Sequence, residues 1–268
     1  MSSRSTFLSL LPLSLLLFQQ TPDPNGAHIK EWTERHAQYS APKITQTDSS
    51  LEITANDPRP LDSVLAALAH QHGWHINYED PKYGKADLVD DTAPSWLQEH
   101  PNGGRVYSVV GGAFFAKIPI DGYFPYDPVQ ILPTLVEAYN RSGNPGRFAL
   151  HTINHDSFDI VPTAAAGGPQ APLLDTVMSF DATDMVPATE LRKFCEKLSR
   201  VSGQTVVFDG SFGLPMSAPQ YEVGIKQHSQ NQAAREILRE IYRQVGSTYC
   251  WRLFYDTDSN QFVLQLRW

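Results

Sequence analysis

Two stretches of the chain carry the same pattern and decide the fold: residues 51–80 (LEITANDPRPLDSVLAALAHQHGWHINYED) and residues 177–210 (VMSFDATDMVPATELRKFCEKLSRVSGQTVVFDG). They align without a gap at an offset of 130 residues, so that Leu61 matches Leu191 and Gly73 matches Gly203. A supersecondary pattern that recurs along one chain indicates one structural unit used twice. We therefore interpret the chain as two copies of one module.

Each stretch predicts a strand, a helix and a second strand. In the first copy, alternation at Leu51 and Ile53 predicts the strand, and apolar residues at helical spacing follow it. Gly73 comes directly after the last of these residues, and a glycine there is typical of a helix end because it adopts the left-handed conformation at little steric cost. Alternation then resumes at residues 75–78, which predicts the second strand.

The second halves of the copies match at a shorter offset of 103 residues, where Leu135 meets Leu238 and Tyr139 meets Tyr242. Helices are predicted from about Asp127 to Tyr139 and from about Asn231 to Val245, and two strands around a tight turn follow each helix. The predicted closing strands are Phe148 to Asn154, Ser157 to Pro162, Tyr249 to Tyr255 and Gln261 to Arg267. The predicted fold class is therefore α+β, with two tandem β-α-β-β-α-β-β modules whose small mixed sheets each pack on two helices.

The change of offset, 130 minus 103, places 27 additional residues in the first copy. This insertion is predicted at about 81–126, and a strand or hairpin within it is expected to bend at Gly111-Gly112. Aromatic side chains are favoured anchors of binding surfaces, although they could equally cover the first sheet as a satellite core. The candidate binding patch consists of Trp96, Tyr107, Phe114, Phe115, Tyr123, Phe124 and Tyr126.

The amino terminus predicts export. Arg4 precedes an apolar run of 12 residues, Phe7 to Phe18, and a membrane-spanning helix needs about 20 residues. We expect a signal peptide at 1–26 that is cleaved, with an uncleaved anchor as the alternative, no other membrane span, and a periplasmic or secreted location. The predicted divisions after the leader are an N-terminal polar segment at 27–50, the first module at 51–163, a linker at 164–174 and the second module at 175–268.

Two cysteines, Cys195 and Cys250, are present. An exported chain is compatible with a disulfide, so the two could form a single bridge. The alternative is a pair of buried thiols, because Cys195 lies on the apolar stripe of a predicted helix and a free cysteine behaves as a small hydrophobic residue.

Charge and motifs exclude several classes of function. The chain has 21 Lys+Arg against 29 Asp+Glu, which gives a net charge of -8, so we expect no nucleic-acid partner. His70 and His72 are two residues apart and therefore point away from each other on a helix, which is unsuitable for a metal site. The carboxylates Glu79-Asp80 and Asp90-Asp91 are expected to lie in solvated turns. We predict no catalytic, metal-binding or cofactor-binding residues.

Each copy resembles the secretin and TonB short N-terminal domain family (STN-like domains). The resemblance implies a periplasmic module that contacts other proteins of secretion channels or outer-membrane transporters. The matching positions are Pro60-Leu61, Val64-Leu65, Leu68, Gly73 and Ile76-Asn77-Tyr78 in the first copy, Leu191, Leu198, Gly203 and Val206 to Phe208 in the second, and Ala233-Ala234, Ile237-Leu238 and Gly246 in the second helix of the second copy.

Two functions from different classes follow. We expect a non-enzymatic, exported interaction or adaptor module with an envelope protein as its partner. The alternative is a small-ligand or glycan-binding protein, or a hydrolase, that uses the aromatic insertion as its pocket. The alternative requires the aromatic rings to line one concave cleft together with polar groups.

Overall fold

The computed structural model describes residues 39–120, 126–183, 186–210, 224–245 and 250–267, together with Glu34 and Ala37. The helices are α1 Pro60–His72, α2 Pro94–Glu99, α3 Pro128–Arg141, α4 Pro187–Ser202 and α5 Ala234–Val245. The strands are β1 Ser40–Gln46, β2 Ser50–Asp57, β3 His75–Glu79, β4 Leu88–Asp90, β5 Tyr107–Val109, β6 Gly112–Pro119, β7 Arg147–Thr152, β8 Ser157–Ala165, β9 Gly168–Pro169, β10 Val177–Asp181, β11 Val206–Asp209, β12 His228–Ala233, β13 Cys250–Asp256 and β14 Gln261–Arg267.

The two modules share one topology. The first consists of β2, α1, β3, β6, α3, β7 and β8, and the second of β10, α4, β11, β12, α5, β13 and β14. In each module the first and third strands pair antiparallel, the second pairs in parallel with the last, and the last two pair antiparallel. The predicted α+β fold class is confirmed.

Each module has its own hydrophobic core, because its two helices lie between a small antiparallel sheet and a three-stranded mixed sheet. α1 buries Leu61, Val64, Leu65 and Leu68 in the first core. The predicted glycine terminations are confirmed: α1 ends at Gly73, with φ of 70°, and α4 ends at Gly203, with φ of 71°.

The two mixed sheets join into one, which the sequence did not predict. β3 of the first module pairs in parallel with β13 of the second, and the strand order is β11-β14-β13-β3-β8-β7. Side chains alternate along a strand, so Leu253 of β13 points into the second core while Phe254 packs against the first. The helices of the two modules therefore lie on opposite faces of the joined sheet.

The insertion is shorter than the aromatic-rich stretch suggested. β6 pairs with β2 as β12 pairs with β10, so β6 belongs to the module itself and the additional residues precede it. The additional elements are a 3-10 turn at Lys85–Asp87, the antiparallel pair β4–β5, and α2. The predicted break at Gly111 is confirmed, since β5 ends before it and β6 begins after it.

The segments outside the modules are partly ordered by contacts with them. β1 extends the antiparallel sheet of the first module by pairing with β2. Within the predicted linker, β9 pairs with the end of β8, and Leu174 is completely buried in the second core. The predicted signal peptide at 1–26 lies outside the described residues. None of the helices among the described residues is long and apolar enough to cross a membrane.

Candidate functional site

Two acidic residues at the end of β3 lie buried at the boundary between the modules. Glu79 is 0% exposed and Asp80 is 1% exposed. The expectation that this pair lies in a solvated turn is wrong, because β3 is an inner strand with β8 on one side and β13 on the other. Buried carboxylates require cations or hydrogen-bond donors as partners. Those partners define the chemistry of the boundary.

Glu79 ties the second module and the linker to β3. The Arg235 guanidinium of α5 donates to Glu79 Oε2 at 2.5 Å, and the backbone N–H of Leu174 donates to Oε1 at 3.1 Å. Arg235 Nε also donates to Asp175 at 3.1 Å. Burial raises the pKa of the Glu79 carboxyl, and the positive charge of Arg235 opposes that rise.

Asp159 of β8 extends this network along the same face of the sheet. Its carboxylate accepts from Asn77 Nδ2 at 2.8 Å and from Arg239 of α5 at 2.5 Å. Asn77 in turn accepts the backbone N–H of Trp251 at 3.1 Å. The side chains of β3 and β8 therefore bind both the helix and the adjoining strand of the second module.

Asp80 is a second centre of hydrogen bonding. Oδ2 accepts from Arg59 Nε at 2.7 Å and from the backbone N–H of Tyr255 at 3.0 Å. Oδ1 accepts from the hydroxyls of Tyr78 at 2.9 Å and Tyr83 at 3.0 Å. Burial raises the pKa of both tyrosines, and the Asp80 charge adds to the rise. The Asp80 carboxylate thus accepts hydrogen bonds from the residue before α1, from β3, from the start of the insertion and from β13.

The insertion is attached to the second module rather than laid over the first. Tyr83 and Val109 are buried within the second core, 5% and 2% exposed, although both belong to the first module's part of the chain. The backbone N–H of Tyr107 donates to Asp258 at 2.6 Å, and the Thr257 hydroxyl donates to the Tyr107 carbonyl at 2.6 Å. The insertion therefore bridges the two modules.

The candidate aromatic residues do not form one patch. Phe114 and Tyr126 are buried in the first core. Phe115 is 60% exposed on β6, opposite Thr54 of β2, whereas Tyr107 lies on β5 in a different sheet. Trp96 on α2 stacks on His100, with ring centroids 3.9 Å apart. Tyr123 and Phe124 lie outside the described residues.

Exposed apolar side chains nevertheless concentrate on the insertion. Among the described residues, five of the eleven exposed large hydrophobic side chains lie between residues 89 and 110. Exposed apolar and aromatic side chains are the groups that binding surfaces use for contact. We call these five side chains the insert surface: Val89, Trp96, Val106, Tyr107 and Val110.

Two clefts open at the module boundary. The larger, about 470 Å³, lies between the β7–β8 turn and α5, and His75, Asp156, Arg239 and Trp251 are among its lining residues. The smaller, about 330 Å³, lies beside Lys82 and the linker. None of the five candidate aromatic residues that the structure describes lines either cleft, so the two clefts give no support to an aromatic pocket.

Both cysteines are free, buried thiols in the structure. Cys195 lies in the second core on α4, and Cys250 begins β13. Burial raises the pKa of both thiols. The disulfide considered from the sequence is not formed.

The histidines near the end of α1 do not gather as metal ligands. The His72 ring packs against Trp74 and Tyr126, at centroid distances of 4.9 and 5.2 Å. In the described ranges, no three His, Cys, Asp or Glu side chains are grouped so that they could hold a metal ion.

Sequence reasoning missed the charged residues of the boundary, but comparison of the copies contains a signal for them. At the offset of 103 residues, Arg235, Arg239 and Arg252 of the second copy stand where the first has Leu132, Val136 and Ala149. A cation that replaces an apolar residue on a buried face needs a buried acid nearby. That difference could have pointed to Glu79 and Asp159.

Comparisons with protein-family models, with curated proteins and with solved structures find no match for this chain. The resemblance to STN-like domains stays a prediction that rests on the residue pattern.

Proposed function

We propose that the protein is an exported, non-enzymatic adaptor of the periplasm that binds an envelope protein of a secretion or outer-membrane transport assembly. The insert surface is the contact region of this proposal. The observation that carries it is the concentration of exposed apolar side chains on the insertion, from Trp96 at 37% to Val106 at 48% exposure. Aromatic anchors such as Trp96 and Tyr107 are enriched among the residues that contribute most of the free energy of protein association.

The attachment of the insertion supports this role. Tyr83 and Val109 are buried in the second core at the two ends of the insertion. The backbone N–H and carbonyl of Tyr107 bond the side chains of Asp258 and Thr257 in the β13–β14 turn. A surface that is already ordered loses less conformational entropy when a partner binds. The insertion therefore suits recognition of a folded partner better than a flexible loop of the same composition would.

The chemistry of the boundary also favours an architectural role. Glu79, Asp80 and Asp159 each accept hydrogen bonds from arginine and from other donors of the chain. These carboxylates therefore hold the two modules together. A catalytic carboxylate would instead have to lie within hydrogen-bond distance of a substrate. Export and a secretion or transport context are supported by the leader pattern and by the resemblance to STN-like domains.

The ligand-binding alternative has less support. It requires Trp96, Tyr107, Phe115 and Tyr123 to line one cleft, whereas Phe115 and Tyr107 lie on different sheets.

The decisive experiment is site-specific photo-crosslinking in the native envelope. A photoreactive residue at position 106 or 96 should give a discrete crosslinked protein, and the same residue at Val177, which is 58% exposed on the second module, should not. Val106→Asp should abolish the crosslink formed from position 96, because a charge would have to be desolvated in the interface. Val177→Asp is the matched control.

The adaptor proposal fails if crosslinking from positions 96 and 106 yields no protein, or if position 177 yields the same products. Mass spectrometry of the mature amino terminus tests export separately. A chain that keeps residues 1–26 in the cytoplasmic fraction would contradict the proposed location.

A further inference from the structure

The joined sheet ends, within the described residues, at β7 and β11, and these are the repeat equivalents of the two strands that join the modules. Phe148 of β7 matches Trp251 of β13 at the offset of 103 residues, and Val206 of β11 matches Ile76 of β3 at the offset of 130. β3 and β13 pair in parallel. β7 and β11 also run in the same direction, because two antiparallel steps separate them. The β7 edge of one molecule thus has the polarity to pair with the β11 edge of another.

The backbone groups that would make this pairing point outward. At the junction, Trp251, Leu253 and Tyr255 direct their backbone groups toward β3, and the Leu253 carbonyl accepts the Asp80 N–H at 2.8 Å. Their equivalents on β7 are Phe148, Leu150 and Thr152. Outward backbone groups on an edge strand are a template for pairing with another chain.

Asn140 of α3 covers the first of these positions on β7. Its Oδ1 accepts the Phe148 N–H at 2.9 Å, and its Nδ2 donates to the Phe148 carbonyl at 2.8 Å. One side chain thus satisfies both outward backbone groups of Phe148. The equivalent helix position at the junction is Arg243, which instead pairs with Glu240 and leaves the Trp251 N–H to Asn77.

Ser199 of α4 does the same on β11. The Thr205 carbonyl accepts from Phe262 of β14, so the groups of the next residue, Val206, point away from β14. The Ser199 hydroxyl accepts the Val206 N–H at 2.8 Å, and its single proton is shared between the carbonyls of Cys195 at 2.7 Å and Val206 at 3.1 Å. The equivalent of Ser199 in the first module is Ala69, which has no hydrogen-bonding side chain, and there β3 pairs with β13.

We infer that the β7 and β11 edges are complementary docking surfaces for a second copy of this chain, and that Asn140 and Ser199 keep them closed. The two caps stand on the two outer edges, and the equivalent positions at the inner junction lack them. Capping by a neighbouring side chain is one way in which proteins prevent edge-to-edge association.

The contact between copies is weaker than the internal junction. At the junction, Arg59, Asn77 and Asp80 bind β13, whereas their equivalents beside β11 are Thr189, Val207 and Gly210. Pairing between copies therefore relies on backbone hydrogen bonds. The backbone groups that would form these bonds become accessible once the caps are removed. Association of this kind is head to tail and produces rings or open filaments, so it leads beyond a dimer.

The test is the double variant Asn140→Ala/Ser199→Ala, compared with the wild type by light scattering across a concentration series. The wild type should keep the mass of a monomer. The double variant should show a weight-average mass that rises with concentration past that of a dimer. Ser202→Ala is the matched control, because the Ser202 hydroxyl bonds the Leu198 carbonyl and the Gln204 N–H, neither of which belongs to β11, so this variant should stay monomeric.

A double variant that unfolds cooperatively and stays monomeric overturns the inference, and so does a wild type that already forms the same oligomers. If the double variant does not fold, amide hydrogen exchange of the wild type tests whether the two caps form. The amide protons of Phe148 and Val206 should be protected, and those of Leu150 and Phe208 should exchange at least tenfold faster. Equal exchange at all four positions would show that the caps do not form.

Discussion

The guanidinium of Arg235 and the carboxylate of Glu79 meet across the module boundary at 2.5 Å, and the two side chains are only 5% and 0% exposed. Arg235 comes from α5 of the second module and Glu79 from β3 of the first. Burial of such a pair costs desolvation free energy that the mutual attraction offsets only when the geometry is good. We therefore expect the pair to add little net stability, whereas either partner left without the other would be a buried, unpaired charge that destabilises the fold.

Removal of Arg235 should strongly destabilise the protein. Arg235→Leu leaves Glu79 buried without its cation and removes a bond to Asp175, so we expect a loss of about 3–5 kcal/mol in the free energy of unfolding. Urea unfolding followed by circular dichroism measures this. Arg243→Leu on the same helix is the control, because its ion pair with Glu240 is exposed to solvent and its loss should change the free energy of unfolding little.

The same pair distinguishes charge burial from packing. Arg235→Leu/Glu79→Leu removes both charges together and should recover most of the loss, since a buried ion pair replaced by apolar side chains is often neutral in stability. Equal losses for Arg235→Leu and Arg243→Leu would contradict the buried role of Arg235.

The modules could be predicted from the sequence because local signals fix them. The stripe from Leu61 to Leu68 and the left-handed glycines at 73 and 203 depend only on neighbouring residues, and the structure has both helices in place. The order of strands and helices in each module followed from the repetition of that pattern. Local periodicity and turn chemistry were sufficient for this level of the fold.

The junction could not be predicted in the same way. Glu79 and Asp80 were interpreted as solvated because the periodicity of β3 says nothing about which strand lies at its other edge. Their partners include Arg235, 156 positions after Glu79, and the backbone of Tyr255, 175 positions after Asp80. The aromatic stretch was misleading for a related reason: Phe114 lies on β6, whose pairing with β2 decides that it is core.

The thiols should be unreactive in the folded protein. Burial raises the pKa of Cys195 and Cys250 above the ordinary value of 9.0, so the native protein holds the thiol protons where an unfolded chain has begun to lose them. Iodoacetamide at pH 8 should label both residues at least tenfold more slowly in the native than in the urea-unfolded protein. Mass spectrometry without reduction should then find two added groups, whereas a disulfide would give none.

The same shift fixes a pH dependence. Because the native pKa is raised, the stabilising contribution of the protonated thiols is complete below pH 9 and decreases as the pH rises above 9, where the unfolded state releases protons. The free energy of unfolding should therefore decrease above pH 9, and less steeply in Cys195→Ala. An identical pH dependence in the variant would contradict this contribution of Cys195.

Gly111 should tolerate no side chain. A Cβ there would lie 2.1 Å from the Pro58 carbonyl oxygen and 2.5 Å from that of Asp57, both of which are backbone atoms that cannot yield easily. Gly111→Ala should cost about 1–3 kcal/mol or more through this overlap. Gly112→Ala is the matched control because nothing lies within 4 Å of its Cβ, and its cost should stay below about 1 kcal/mol. Thermal unfolding of the two variants measures the difference, and equal midpoints would contradict the close approach.

Val109 should anchor the insertion locally. Its side chain is 2% exposed in the second core, whereas Val89 on the paired strand β4 is 43% exposed. Val109→Ala removes buried methyl groups and should cost about 1–3 kcal/mol, while Val89→Ala should cost at most about 0.5 kcal/mol. Because β4, β5 and α2 have few other buried contacts, the loss should appear as faster hydrogen exchange across residues 84–110, with exchange in α1 unchanged. Equally faster exchange in both regions would mean instead that the insertion and the modules unfold as one cooperative unit. The insert surface would then be ordered by the whole molecule rather than by the Tyr83 and Val109 anchors.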